Sequence, residues 1–331
     1  MAAANSAIEV EPEIEASAYG DEPDSAYDSE VASYTTSIAS DITNYKEEHG
    51  RRYHAFENAG YHYPNDEKET DRLDIMHKLT EVSLGGKLNL APIPANAQRI
   101  LDIGTGTGIW AIETGDKYPK AEVLGNDISP IQPKWVPPNV RFEVDNVEED
   151  WTYHQPFDYI HCRMMGNAIR DWPRLNRQCF EHTRPGGWVE FIDLDLTWTS
   201  PDGSLQESHA SKTFNNEFIK ASREAGIESC PGLYLEGWMK DAGFKDVKAE
   251  KYVWPVGTWP KDKHLKEVGA WNYLQIMEGL EAFTYALFTR HLGMSKAEVE
   301  VICANIRKEI KNPAMHAMFH LHVAYGQKPE A

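Results

Sequence analysis

The chain contains few cysteines, and their spacing excludes the common metal and disulfide motifs. Four cysteines occur in 331 residues, and no two of them form a Cys-x-x-Cys pair. Scattered cysteines of this kind are typical of free thiols in a reducing compartment. We therefore expect neither a structural disulfide nor a bound metal. The cysteines are Cys162, Cys179, Cys230 and Cys303.

Long apolar runs and a basic, apolar leader are also missing from the sequence. No stretch of 18 apolar residues occurs, so no membrane span is expected. The first residues, Met1 to Ser6, are small and uncharged, which does not fit a secretory signal. We expect a cytoplasmic or nuclear protein, or one found in both places, that has no membrane partner.

Positive charge is scarce, above all at the start of the chain. The formal net charge is −19, and the first 45 residues hold ten Asp or Glu and no Lys or Arg, which leaves about −9 on the remainder. No basic stripe is available to contact phosphates, so a nucleic acid partner is disfavoured. Acidity is compatible with a basic protein partner, but it is also a common route to solubility.

The composition divides the chain into three parts. Residues 1–35 are rich in Ala, Ser, Glu and Asp, and we expect a disordered acidic tail. Residues 36–98 form a predicted N-terminal helical extension, in which Asn65 or Asp66 caps a helix that ends at the pair Gly85-Gly86. Residues 99–331 alternate strand and helix patterns up to about residue 199, which predicts a parallel α/β sheet.

A glycine-rich turn is the most informative motif of the chain. An apolar strand pattern from residue 99 ends in Asp102, and Gly104, Gly106 and Gly108 follow at intervals of two, before a helix pattern begins. Glycines allow a tight turn that approaches a nucleoside ligand closely. The dinucleotide spacing Gly-x-Gly-x-x-Gly fits poorly, because the register from Gly104 fails and the bulky Trp110 stands in the register from Gly106.

Two further predicted strands each end in an acidic residue. Asp127 follows an apolar strand pattern and lies 21 positions after Gly106, close to the spacing of about 20 residues that brings a carboxylate to ribose hydroxyls. Asp145 and Asn146 end the next strand, over residues 140–144. Strands are also predicted over residues 157–162 and 188–192. Helical patterns at about 255–315 predict an insertion before the last strand.

The run Asp-x-Gly-x-Gly-x-Gly resembles motif I of class I S-adenosylmethionine (SAM) methyltransferases. Further segments narrow the resemblance to the fungal LaeA-like methyltransferases, over about residues 40–329. These segments are Gly50 to His54, Pro64 to Glu67, Asp71 to Asp74, Asp127 to Asn139, Pro255 to Pro260 and Gly279 to Phe283.

The resemblance implies a Rossmann-like, seven-stranded class I methyltransferase sheet whose last two strands form an antiparallel hairpin. It implies SAM as the cofactor, with the glycines under the methionine part, Asp127 at the ribose and Asp145 at the adenine. The cofactor-binding residues that we expect are Tyr53, Asp102, Gly104, Thr105, Gly106, Gly108, Asp127, Ile128, Asp145 and Asn146.

Methyl transfer depends mainly on positioning, so the sequence demands no particular catalytic side chain. His161 and Arg163 lie at the carboxyl end of the fourth predicted strand and are the catalytic candidates. His161 either acts as a base or is an ordinary core histidine. Arg163 either meets the SAM carboxylate or a substrate acid, or forms a surface salt bridge. Tyr53 either faces the sulfonium in a cation–π contact or packs within a lid.

Two functions fit this resemblance. The first is an enzyme that transfers a methyl group to O, N or C of a small molecule of fungal secondary metabolism. The second is a SAM-binding regulatory subunit of a velvet-type nuclear complex that controls secondary-metabolite genes. For the enzyme, we expect a largely apolar and aromatic pocket between the extension at 50–80, the region after Cys162 and the insertion at 255–290.

Overall fold

The computed structural model describes residues 45–55 and 61–330. All of these residues belong to one compact unit that extends from Ile42 to Ala331. The predicted acidic tail over residues 1–35 lies outside the described residues.

A seven-stranded sheet dominates the described part of the chain. Its strand order is β5-β4-β3-β6-β7-β9-β8, and a separate hairpin pairs β1 with β2. β9 is antiparallel to both neighbours, and the other pairs are parallel, which confirms the predicted class I methyltransferase sheet. The strands are β1 (Lys46–Glu48), β2 (Arg51–Tyr53), β3 (Arg99–Ile103), β4 (Glu122–Asp127), β5 (Val140–Val144), β6 (Phe157–Arg163), β7 (Thr183–Thr199), β8 (Lys245–Pro255) and β9 (Met318–Gln327).

Seven α-helices accompany these strands within residues 45–55 and 61–330. They are α1 (Glu67–Ser83), α2 (Ile109–Lys117), α3 (Trp172–His182), α4 (Ala210–Glu224), α5 (Leu235–Ala242), α6 (Lys263–His291) and α7 (Lys296–Ile310). None of the described helices is long and apolar enough to cross a membrane.

The central strands are buried on both faces, because helices cover each side of the sheet. Phe157 to Cys162 in β6 is buried without interruption, as is typical of a parallel strand between two helical layers. The buried apolar residues accordingly form two clusters. β7 runs beyond its predicted end at Ile192 to Thr199, because β9 pairs with it as far as that residue.

Helix α1 begins as the sequence predicts. The Asp66 side chain accepts a hydrogen bond from the Glu69 backbone N–H at 3.1 Å, and so caps the helix. Asp66 also binds the Arg51 guanidinium through both carboxylate oxygens, at 2.6 and 2.9 Å, which ties β2 to α1. Gly85 and Gly86 follow the helix and have positive φ, a conformation that glycine adopts more easily than other residues.

The predicted helical insertion lies between β8 and β9. It consists of α6, with 29 residues, and α7, which starts with a capping box formed by Ser295 and Glu298. Helix α1 packs against α6, so the extension and the insertion meet above the carboxyl edge of the sheet.

Candidate active site

The turn between β3 and α2 requires its glycines. Gly104, Gly106 and Gly108 have φ of 62°, 57° and 80°, a region that other residues rarely adopt. A Cβ at Gly104 would lie 2.2 Å from the Met165 sulfur, and one at Gly108 would lie 2.4 Å from the Phe142 ring. Helix α2 begins at Gly108 without a side-chain cap, so its first N–H groups have no side-chain acceptor.

Neighbouring elements hold this glycine turn in place. The Asp127 carboxylate accepts hydrogen bonds from the backbone N–H of Gly106 and of Ser129, each at 2.9 Å. Thr107 donates its hydroxyl to Asp74 of α1 at 2.7 Å. Loss of solvation raises the pKa of Asp127 to about 6.

A first cavity opens above this turn, at the carboxyl edge of the sheet. Its empty volume, with the space open to solvent included, is about 880 Å³. Of the predicted cofactor residues, those that line it are Gly104, Thr105, Gly106, Asp127, Ile128, Asp145 and Asn146. Burial raises the pKa of Asp145.

Three predicted cofactor residues do not line this cavity. Gly108 serves as the cap of α2. Asp102 lies behind the turn, where it accepts a hydrogen bond from the Thr105 hydroxyl at 2.6 Å, so it positions the turn. Tyr53 is buried away from the cavity with the Arg290 guanidinium over its ring at 5.3 Å. In place of the expected contact with the sulfonium, Tyr53 of the extension therefore contacts Arg290 of α6, in the insertion.

His161 does not reach the cavity either, which corrects its candidacy as a catalytic base. Its side chain is fully buried, and its Nδ1 is 2.7 Å from an Asp102 carboxylate oxygen. Its ring is stacked on Trp110, with centroids 3.8 Å apart and planes at 5°. Burial lowers its pKa, although Asp102 opposes this shift. His161 thus supports the Asp102 carboxylate that holds the glycine turn.

Arg163, in contrast, lines the first cavity. It donates from its guanidinium to Nδ1 of His77, at 2.9 Å, and Nε2 of His77 is 3.2 Å from a Glu113 oxygen. Burial and the adjacent Arg163 lower the pKa of His77 to about 3, so His77 is neutral at pH 7. Since Nδ1 accepts from Arg163, the proton of neutral His77 lies on Nε2. The chain Arg163–His77–Glu113 fixes a positive charge at the cavity wall.

A second cavity adjoins the first, and its empty volume, with the space open to solvent included, is about 850 Å³. Tyr61, Leu73, Met76 and Met164 line both cavities, so the two are neighbours. As the sequence predicts, an apolar and aromatic cavity lies between the extension, the residues after Cys162 and the insertion. Its further lining residues are Tyr63, Arg72, Gly166, Asn167, Asp193, Leu194, Leu196, Trp198, Phe214, Asn215, Phe218, Gln275, Ile276, Leu280, Phe283 and Phe319.

The sequence reasoning missed several of these lining residues. Asp193 comes directly after the predicted fifth strand, so it follows the same strand-then-acid pattern that identifies Asp127 and Asp145. Tyr61 lies in an aromatic run beside His62 and Tyr63, and this run was a signal for the second cavity. Met164 and Met165 carry no comparable signal, because methionine is an ordinary core residue.

Comparisons with known proteins agree with this geometry. Residues 75–249 match the family model described as "Methyltransferase domain". The chain therefore belongs to the methyltransferase family. It is 45% identical over 295 residues to "Methyltransferase pytC" of Aspergillus terreus, covering 89% of this chain and 91% of the relative. It is 38% identical to "Secondary metabolism regulator LAE1" of Cochliobolus heterostrophus, covering 87% and 96%.

A third relative is "Protein-methionine methyltransferase laeA" of Emericella nidulans, which is 34% identical over 88% of this chain and 78% of its own length. These relatives confirm the resemblance to LaeA-like fungal proteins. The chain is a SAM-dependent methyltransferase.

The residues of the first cavity fit SAM. Its two acidic ends, Asp127 and Asp145, are suited to accept from ribose hydroxyls and from an adenine amino group. Arg163, at the wall of this cavity, is suited to bind a carboxylate. Gly104 leaves room beside the turn for the Met165 side chain, which also lines this cavity. SAM supplies an electrophilic methyl group there, and the chain positions the group and the acceptor.

Proposed function

We propose that this methyltransferase transfers the methyl group of SAM to a small molecule of secondary metabolism that binds in the second cavity. The observation that carries the proposal is the position of that cavity, which shares Met76 and Met164 with the SAM cavity. Its aromatic walls suit a flat, apolar acceptor better than an extended peptide. The similarity to "Secondary metabolism regulator LAE1" supports a link to secondary metabolism.

We also propose that the extension acts as a lid over both cavities. Tyr61, Leu73 and Met76 contribute to both walls, and Arg72 of α1 has its guanidinium 5.0 Å from the centre of the Phe283 ring of α6. Such a lid excludes water and sets the acceptor in line with the methyl group. We place the reaction in the cytoplasm, the nucleus or both.

The test uses the pure full-length protein with methyl-labelled SAM and two extracts of the organism that carries the gene. One extract contains metabolites and the other contains proteins. Label in a small molecule supports the proposal. Label that enters only proteins contradicts it. The Asp127→Ala variant is the control for label that does not depend on the SAM site.

A second candidate function is regulation, and the similarity to the regulator LAE1 over 96% of its length favours it. In that case the protein acts as a SAM-binding subunit of a velvet-type nuclear complex. Co-purification with a velvet-type protein from nuclei, without any small-molecule product, supports this candidate. The two functions thus predict opposite outcomes of the same labelling experiment.

A further inference from the structure

The second cavity contains one acidic side chain among its described lining residues. Asp193 follows Ile192 in β7, and only 4% of its surface is exposed. Its Oδ2 accepts the Met165 backbone N–H and its Oδ1 accepts the Leu194 backbone N–H, both at 2.8 Å. Gly166 also donates a backbone hydrogen bond to this carboxylate. A carboxylate can accept about four hydrogen bonds, so the three backbone donors leave one acceptor position.

The surrounding chain fixes this carboxylate beside the SAM cavity. Met165 binds Asp193 through its backbone and lines the first cavity with its side chain. A Cβ at Gly166 would lie 2.8 Å from Oδ1 of Asp193, so a larger residue at that position would have to displace the carboxylate. Asp193 therefore lies where the two cavities meet.

Arg72, Asn215 and Gln275 also line the second cavity, and each of them is engaged with another side chain or with the backbone. Arg72 binds both carboxylate oxygens of Glu69, at 3.0 and 2.7 Å. Asn215 accepts from the Trp198 backbone and donates to the Leu196 backbone. Gln275 donates to Asn272 at 3.1 Å. Asp193 is thus best placed to recognise a polar group of a bound acceptor.

We propose that Asp193 binds the acceptor and removes its proton, and that the acceptor carries a hydroxyl or amino group on a flat, apolar scaffold. This inference rests on the proposed function of the second cavity. Trp198 and Phe319 are stacked, with centroids 6.0 Å apart, and form part of the aromatic wall for such a scaffold.

The step balances in charge and atoms. The acceptor oxygen or nitrogen forms a bond to the methyl carbon while the bond from that carbon to the sulfonium sulfur breaks. Asp193 takes the proton that the acceptor loses. The positive charge of the sulfonium and the negative charge of the carboxylate disappear together, and neutral S-adenosylhomocysteine leaves. Removal of a proton by a positioned base typically contributes 10²- to 10⁴-fold to a rate.

The titration of Asp193 suits this role. Burial raises its pKa to about 7, despite the hydrogen bonds from the backbone. The pKa shifts of its titratable neighbours all point away from pH 7. Burial raises the pKa of Tyr63 and of Cys162, Arg72 remains paired with Glu69, and burial lowers the pKa of His322, the cross-strand partner on β9. Asp195, two residues along β7, accepts from the Thr197 backbone.

The first test measures binding to the full-length protein saturated with S-adenosylhomocysteine. The probes are 1-naphthol, 1-naphthylmethylamine and naphthalene, and titration calorimetry measures their binding. In Asp193→Asn, we expect the two polar probes to bind at least tenfold more weakly and naphthalene to bind within twofold of the unmodified protein. Asp195→Asn is the matched control, because Asp195 is buried on the same strand but does not line the cavity.

The pH arm keeps the proposal testable if the variant does not fold. The ammonium of 1-naphthylmethylamine stays charged between pH 6 and 8, so a rise in its affinity over this range in the unmodified protein reports ionisation of Asp193. Equal effects of the variant on all three probes, no binding of the polar probes, or an affinity for this amine that is independent of pH would overturn the proposal.

The second test uses the acceptor that the labelling experiment identifies. We expect Asp193→Asn to lower kcat at least a hundredfold at pH 8, with the affinity for SAM within threefold. A kcat within threefold of the unmodified protein overturns the assignment of Asp193. If label enters no small molecule, the proposed function fails, whereas the probe experiment still reports separately on Asp193.

Discussion

Asp127 contributes to the cofactor site both directly and through the glycine turn. Its carboxylate holds the Gly106 N–H and lines the SAM cavity. Replacement by Ala leaves ribose hydroxyls without acceptors, which costs about 1–3 kcal/mol, or roughly 5- to 150-fold in the dissociation constant of SAM. Titration calorimetry with SAM measures this loss. Asp116→Ala, at an exposed site on α2, is the matched control and should bind normally.

The same calorimetry should be repeated with NAD, because a glycine turn alone does not identify a nucleoside. Tighter binding of NAD than of SAM by the unmodified protein would contradict the assignment of this cavity. Unchanged SAM binding by Asp127→Ala would contradict the role of that carboxylate.

His161 provides a second prediction at the scale of single residues. Because it is buried between Asp102 and Trp110, its replacement by Ala leaves a buried carboxylate without its partner. We expect a loss of about 1–3 kcal/mol in the free energy of unfolding. Thermal unfolding and single-turnover kinetics distinguish this structural role from a catalytic one. If His161 were a catalytic base, its replacement would lower the rate at least a hundredfold and leave the melting temperature unchanged.

These residues also show which parts of the site a sequence can reveal. Asp127 and Asp145 were identifiable, because acids at the carboxyl ends of parallel strands meet at one edge of a sheet. His161 has the same kind of position but lies next to Trp110 inside the core, and the direction of a side chain in a fully buried strand leaves no periodic signal. Tyr53 was predicted to line the cofactor site, but Tyr61, eight positions later in the chain, lines it instead.

At the scale of elements, the glycine turn, α1 and the insertion could be located from caps and breakers. Asp66, Gly85 and the Ser295–Glu298 box are local signals that act within one turn of helix. The full length of β7 could not be predicted from local signals. Its last residues form a strand only because they pair with β9, more than a hundred positions away. The contact of α1 with α6 is equally non-local and was predicted only as a general covering of the site.

Truncation tests the role of the extension as an element. Removal of residues 1–80 deletes β1, β2 and most of α1, including Tyr61, Leu73 and Met76, which line both cavities. We expect methyl transfer to be lost and SAM to bind more weakly, because the site then opens to water. Removal of residues 1–35 is the matched control, and SAM binding should be retained. Full activity after removal of residues 1–80 would contradict the lid model.

For the whole molecule, stability near neutral pH depends on buried carboxyl groups and buried histidines, whose contributions change with pH in opposite directions. Burial raises the pKa of Glu190 and of Asp193 to about 7, so these carboxyls destabilise the fold as pH rises through 7. Burial lowers the pKa of His62 to about 4 and of His77 to about 3, so these histidines destabilise the fold as pH falls below their unfolded value of about 6.5. The two effects have opposite slopes and partly cancel between pH 5.5 and 7.5.

The variant Glu190→Gln removes one of the two buried carboxyls whose pKa is raised to about 7. Glu190 is fully buried, and one of its oxygens accepts from the backbone N–H of both Leu90 and Ala91, a role that the Gln oxygen can take over. Between about pH 4.5 and 7, the Glu190 carboxyl is protonated in the folded protein and ionised in the unfolded protein. The native Glu therefore contributes stability at pH 5.5 that is gone at pH 7.5, and Gln contributes none of this dependence.

We accordingly expect Glu190→Gln to gain stability relative to the unmodified protein as pH rises from 5.5 to 7.5, by on the order of 1 kcal/mol. Urea unfolding of both proteins at pH 5.5, 6.5 and 7.5 measures the difference. Glu278→Gln, at an exposed site on α6, should follow the unmodified protein at every pH. A difference between Glu190→Gln and the unmodified protein that stays constant with pH would mean that Glu190 remains ionised in the fold, held by the two backbone donors against its burial.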